Sequence, residues 1–246
     1  MLYLFYIILA FLPSIIWLGF YLRKDKHPEP NSVVLQIFIW GMLISPLALL
    51  MELLLIFIIN PGMGLSEIFS NASGLDVFRA ALIATFVPAT VEEYLKYRIV
   101  RSKIINNPEF DEPLDIMLYL IIAALGFAAI ENLLVLSKIP LMPLNDAVTT
   151  MTVRFLGATL LHALASGIIG YFLALGIFYT KKRKTFIALG LLLAISFHAC
   201  YNYFITMAGQ TGNLIYLLLV ILLLIVMAMM VSKSFIKLKK QLSICK

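Results

Sequence analysis

The 246-residue sequence predicts an all-α fold, a polytopic transmembrane helical bundle of about seven spans. Three observations carry that reading. The chain is 62% hydrophobic and only 13% charged, far too apolar for a soluble domain. Apolar runs of about 20 residues, the length a spanning helix needs, recur along it. The Lys and Arg residues gather in short clusters at the ends of every second run. No polar stretch exceeds about twenty residues, so 1–246 reads as a single integral membrane domain. The net charge of +6 then marks orientation and not a nucleic-acid partner; the bilayer is the expected surroundings.

The runs are Leu2 to Leu22, Val33 to Ile59, Val77 to Val100, Leu114 to Leu136, Ala147 to Tyr179, Thr185 to Met207 and Asn213 to Val231. The first is followed by Arg23-Lys24-Asp25-Lys26 and lacks a small-residue cleavage site, so it reads as a retained span. The fifth, the longest, is expected to tilt or to begin outside the hydrocarbon. Between the second and third runs, Asn60-Pro61-Gly62-Met63-Gly64 is a turn cluster, and the segment on to Ser73 is mildly amphipathic. The Ile139 to Asn145 stretch, with two prolines, reads as a short outer or shallow re-entrant loop. No internal repeat is visible.

Basic residues orient the chain, because cytoplasmic loops carry the Lys and Arg excess. Arg23, Lys24 and Lys26 follow the first run, Arg101 and Lys103 the third, Lys181 to Lys184 the fifth, and Lys233, Lys237, Lys239, Lys240 and Lys246 the last. The intervening loops hold only Lys138. This alternation puts the N-terminus outside and the C-terminus in the cytoplasm, in a multi-pass protein of the cell membrane. Cys200 reads as a small core residue, and Cys245, one place from the end, forms no prenylation box.

Charges inside the runs need a reason, since each costs on the order of 2.5 to 3.5 kcal/mol at the bilayer centre. The third run carries Val91-Glu92-Glu93-Tyr94-Leu95-Lys96. Lys96 is three and four residues from the two glutamates, so a helix can neutralise one carboxylate; the second lacks a base of its own. Arg98 is out of phase and is expected to snorkel. The fourth run holds Glu131 and Asn132 beside Ala123, Ala124, Gly126, Ala128 and Ala129, small residues that admit a neighbouring helix. The fifth carries His162 in a stripe with Ala158, Ser166 and Gly170, and the sixth aligns Ala194, His198 and Asn202. Arg154, near the outer end of the fifth run, either lines the site entrance or snorkels, and snorkelling is favoured.

At about 1.5 Å of rise per residue, Glu131, His162 and His198 lie roughly 18 to 25 Å from the inner boundary and Glu92 and Glu93 roughly 13 to 15 Å. The two groups are then about one helical turn apart, a gap that tilt or a kink at Pro88 would close. Two routes to hydrolysis of an acyl bond follow. In one, Glu131, His162 and His198 hold a catalytic zinc ion, with Glu92 or Glu93 as general base and acid. In the other no metal is needed: one of those glutamates activates water directly, and a histidine or Asn202 stabilises the oxyanion. A transporter that couples proton or cation movement to the same groups is the rival class, and a scaffold whose polar groups only fix packing is a third.

These motifs, E-E-Y-L-K at Glu92 to Lys96, G-F-A-A-I-E-N at Gly126 to Asn132, H-A-L-A-S-G-I-I-G at His162 to Gly170 and H-A-C-Y-N at His198 to Asn202, resemble those of the PrsW family of intramembrane proteases. That family is similar in turn to type II CAAX prenyl endopeptidases and the bacteriocin-processing group. Tyr21 to Pro30 is similar to its first cytoplasmic loop. The resemblance implies an intramembrane endopeptidase acting on membrane-anchored proteins such as anti-sigma factors. It implies Glu92 and Glu93 as the acid/base pair, Phe127 and Glu131 as the second motif, and His162 and His198 as the remaining polar site residues. Lys96 is read as the partner that keeps one glutamate ionised, with Asn132 and Asn202 in support. Glu131 stands where the CAAX enzymes resemble a histidine, so their metal-free mechanism does not transfer directly.

Overall fold

A computed structural model describes residues 2–25, 27–59, 77–104, 112–137 and 142–240. The turn cluster at Asn60, the amphipathic segment to Ser73, the first three residues of the Ile139 to Asn145 loop, Cys245, Lys26, Lys138 and Lys246 lie outside the described residues. Each apolar run is helical: α1 is Leu2–Leu22, α2 Asn31–Ile59, α3 Val77–Ile104, α4 Pro113–Ser137, α5 Leu144–Leu156, α6 Ala158–Phe178, α7 Arg183–Thr211 and α8 Leu214–Leu238. Among the described residues there are six runs long and apolar enough to cross a membrane, α5 and α6 counting as one. The remaining helix, α3, has the length at 28 residues but carries the charges, and its Glu92, Glu93 and Lys96 are all buried. The fold is the expected all-α polytopic bundle.

The fifth run departs from expectation. It is broken at Gly157, with φ −103° and ψ −98°, into the 13-residue α5 and the 21-residue α6. A Cβ at Gly157 would sit 2.5 Å from the Tyr201 hydroxyl oxygen, so the break depends on a residue without a side chain. The turn between α7 and α8 has a plainer cause: Gly212 takes a left-handed conformation at φ 65°, and the Asn213 side chain accepts from the Ile215 N–H at 3.0 Å.

Helix α4 is the axis of the bundle. It is buried all round from Pro113 to Ala129 and packs against α1, α2 and α6. Small residues make this possible. A Cβ on Gly126 would collide with the Phe38 carbonyl oxygen, and one on Gly41 with that of Ala123, so α2 and α4 touch backbone to backbone. A Cβ on Gly170 would lie 2.5 Å from Met117 Cα, which brings α6 as close on another side. The small stripes flanking Glu131 and His162 therefore do what was expected of them.

The basic ends share one side of the bundle. Tyr21 stacks on Phe235 with centroids 6.0 Å apart, His27 Nε2 is 3.8 Å from Glu112 Oε1, and Tyr119 donates to Glu29. Arg98 is exposed, in keeping with a snorkelling cation, whereas Cys200 is only half-buried and not a core residue.

Candidate active site

The pair Glu92–Glu93 sits in the middle of α3, and consecutive helical residues point about 100° apart, so the two carboxylates approach the bundle interior from different sides. Glu93 is wholly buried and Glu92 nearly so. Lys96, one turn on, is also fully buried and serves both: its Nζ lies 2.9 Å from Glu93 Oε1 and 3.2 Å from Glu92 Oε2. The second glutamate, which has no base of its own in the sequence, shares this ammonium. Lys96 Nζ also lies 2.8 Å from His162 Nδ1 and 4.2 Å from the centre of the Phe127 ring.

Helix α6 supplies His162 and, one turn later, Ser166, whose hydroxyl donates to Glu93 Oε2 at 3.2 Å. Helix α7 supplies His198, with Nδ1 3.0 Å from Glu93 Oε1 and Nε2 3.9 Å from Glu92 Oε2. The two imidazoles meet edge to face, with centroids 5.0 Å apart, and the Phe127 ring packs on His162 at 5.5 Å. The gap of one helical turn between the glutamates and the histidines is thus closed.

Glu131, on α4, takes a place of its own. Its Oε2 is 2.6 Å from His162 Nε2 and its Oε1 is 3.0 Å from Arg154 Nη2. Arg154 Nε donates to Asn132 Oδ1 at 2.6 Å, and Asn132 Nδ2 donates to the Ala10 carbonyl and to Thr159 Oγ1, each at 3.2 Å. Arg154 was expected to snorkel; it turns inward instead, because the break at Gly157 ends α5 beside Glu131. Asn202 is half-buried one turn beyond His198, and among the described residues none of the site's hydrogen bonds or ion pairs involves it.

Among the described residues, one oxygen each from Glu92 and Glu93 and one nitrogen each from His162 and His198 lie within 4.8 Å of one another, all on buried side chains. Two carboxylates and two imidazoles suit a divalent transition metal in their chemistry. The ligand set expected from the sequence was Glu131, His162 and His198. The structure brings both histidines together but with Glu92 and Glu93, while Glu131 meets the outer nitrogen of His162.

Sequence reasoning also passed over Glu52 on α2, which interacts electrostatically with Glu92, Glu131 and Lys96. An isolated carboxylate in the second apolar run was the available signal, of the same kind that singled out Glu131.

The protein was compared with known families and proteins. The model of the PrsW family intramembrane metalloproteases matches residues 29–230. Protease PrsW of Geobacillus kaustophilus is 30% identical over 193 residues, covering 78% of this chain and 76% of that one. Protease PrsW of Oceanobacillus iheyensis is 28% identical over 192 residues, 78% of each chain. Protease PrsW of Bacillus subtilis is 28% identical over 198 residues, 79% of each chain. No solved structure matches the chain. Nothing among these findings supports the rival reading as a transporter. With three separate helices delivering glutamates and histidines to one buried cluster and a family match over most of its length, the chain belongs to the PrsW family of intramembrane metalloproteases: it is a peptidase and a multi-pass protein of the cell membrane.

Proposed function

We propose that this peptidase hydrolyses peptide bonds of membrane-anchored, single-span proteins, with Glu92, Glu93, His162 and His198 as the reacting centre. The observation that carries the reading is the convergence of two adjacent buried glutamates with two histidines from other helices, inside an otherwise apolar bundle. A purely structural ion pair needs one carboxylate for one lysine and gives no reason for the second glutamate or for two histidines.

The two glutamates differ in what they can do. Glu93 is held on both oxygens by Lys96, His198 and Ser166, which fixes it as an anionic anchor. Glu92 keeps some accessibility and faces His198 Nε2 at 3.9 Å, a span that one water molecule bridges with ordinary hydrogen bonds. Glu92 is therefore the better general base, taking a proton from that water as it attacks the scissile carbonyl and passing it on to the leaving amide nitrogen. His198 orients the water, its own ring set by the bond from Nδ1 to Glu93. If a divalent ion such as zinc is held, Glu92, Glu93, His162 and His198 are the residues to hold it. It would act as a Lewis acid on the carbonyl and acidify water. Glu131 orients His162 through Nε2, and Arg154 and Asn132 hold Glu131 in turn. The basic side of the bundle faces the cytoplasm.

The test is cleavage of a single-span reporter by the purified protein in liposomes, with wild type beside Glu92→Gln and His198→Ala. Fragments from wild type alone support the reading. Equal cleavage by all three removes this site assignment.

A further inference from the structure

Three of the four donors that suit a metal already hold a cation. Lys96 Nζ lies 3.2 Å from Glu92 Oε2, 2.9 Å from Glu93 Oε1 and 2.8 Å from His162 Nδ1. An ammonium has three N–H donors and no acceptor, so these three contacts use all of it. Toward Lys96, His162 Nδ1 can act only as an acceptor, and its Nε2–H then donates to Glu131 Oε2. The Nδ1 atom has one lone pair in the ring plane. It can accept from Lys96 or bind a metal, but not both.

We propose that Lys96 is a resident cation that competes with a divalent metal for this centre, so that metal binds only when the Lys96 ammonium leaves His162. The proposal rests on the reading that Glu92, Glu93, His162 and His198 form the reacting centre, and it adds what controls their loading. Charge points the same way. Two carboxylates balance one ammonium to a net charge of minus one, and a dication beside the ammonium reverses that sign within an apolar bundle. Moving the ammonium away restores neutrality. In its present place Lys96 Nζ also lies over the Phe127 ring. A lysine that merely preorganised the carboxylates would instead help a metal to bind.

The two roles predict opposite signs for one substitution. Full-length protein in detergent is stripped with chelator and dialysed against graded free Zn²⁺ at one fixed pH, and bound metal is counted by elemental analysis. Lys96→Met keeps the length of the side chain and removes the charge. It should bind one zinc ion at least about tenfold more tightly than wild type, since repulsion between an ammonium and a dication at such range is worth that much even at a water-like dielectric. Lys96→Arg, which keeps the charge, should show no gain. Adding His162→Ala to Lys96→Met should abolish the gain, which places the ion at this centre.

If Lys96→Met fails to fold, Lys96→Gln, neutral and still polar, carries the same expectation. Unchanged or weaker zinc binding by the folded neutral variant overturns the proposal. Reporter cleavage on the same preparations separates the two readings. A wild type that cleaves without any zinc gain in the variant loses this proposal and keeps the peptidase site. A zinc gain with a reporter left uncut by wild type keeps the competition and removes the site assignment.

Discussion

Arg154 Nη2, near the end of α5 where the helix breaks, holds Glu131 Oε1 of α4 at 3.0 Å, and the other oxygen of Glu131 meets His162. The cation at the end of a short helix thereby sets a ring that reaches the proposed reacting centre. Replacing it leaves Glu131 without a countercharge. Arg154→Met should cost about 1–3 kcal/mol of stability, the penalty for an unpaired and partly buried charged group. Cleavage should fall as well, with Arg154→Lys recovering part of both. Thermal unfolding in detergent and reporter cleavage check this, and a variant matching wild type in both contradicts it.

The glutamates should separate by stability as well as by rate. Glu92→Gln removes the proposed base from a site where the amide still fits, so cleavage should drop by about 10²–10⁴-fold with little change in the unfolding midpoint. Glu93→Gln strips the charge that faces Lys96 and His198 in the fully buried part of the site. It should lose cleavage and also about 3–5 kcal/mol of stability, the usual cost of breaking a buried pair. Unfolding curves for the two variants side by side make the comparison, and identical midpoints would contradict the assignment of Glu93 as anchor.

Backbone contact between α2 and α4 gives a prediction away from the chemistry. Gly126→Ala drives a methyl group into the Phe38 carbonyl and should destabilise by about 1–3 kcal/mol. Gly19→Ala places its methyl where nothing lies within 4 Å and should stabilise α1 by about 0.5–1 kcal/mol. Denaturant titrations that give both substitutions the same sign would contradict this packing.

The break at Gly157 carries Arg154 to Glu131, so widening that residue should act at a distance. Gly157→Ala sets a methyl carbon 2.5 Å from the Tyr201 hydroxyl. Tyr201→Phe removes the obstructing oxygen and should recover part of the lost cleavage when combined with it. Cleavage by the double variant no better than by Gly157→Ala alone would contradict the steric cause.

Helices were legible in this sequence because a bilayer demands long apolar runs, and the site residues because charge inside such runs is costly. The motif glutamates, Lys96 and both histidines stood out for that reason. Depth was harder. Counting rise from loop ends treats each helix as straight and upright, and it left Glu92 and Glu93 one turn from His162 when His162 Nδ1 is 3.6 Å from Glu92 Oε2. Side-chain direction was harder still. Arg154 sits where a cation can reach the headgroups, and only the break at Gly157, a single glycine in a long apolar run, turns it inward. Glu131 was read as a ligand because it shares its depth with His162 and His198; its pairing with Arg154 is what the structure adds.

The most direct test of the central claim is to map the cut. Wild type and Glu92→Gln are placed in liposomes with a single-span reporter, and the fragment ends are read by mass spectrometry. The account predicts a cut within the span or its first turn beyond the bilayer, made by wild type and lost in Glu92→Gln while that variant keeps its unfolding midpoint. The same fragments from folded Glu92→Gln at the wild-type rate would contradict it.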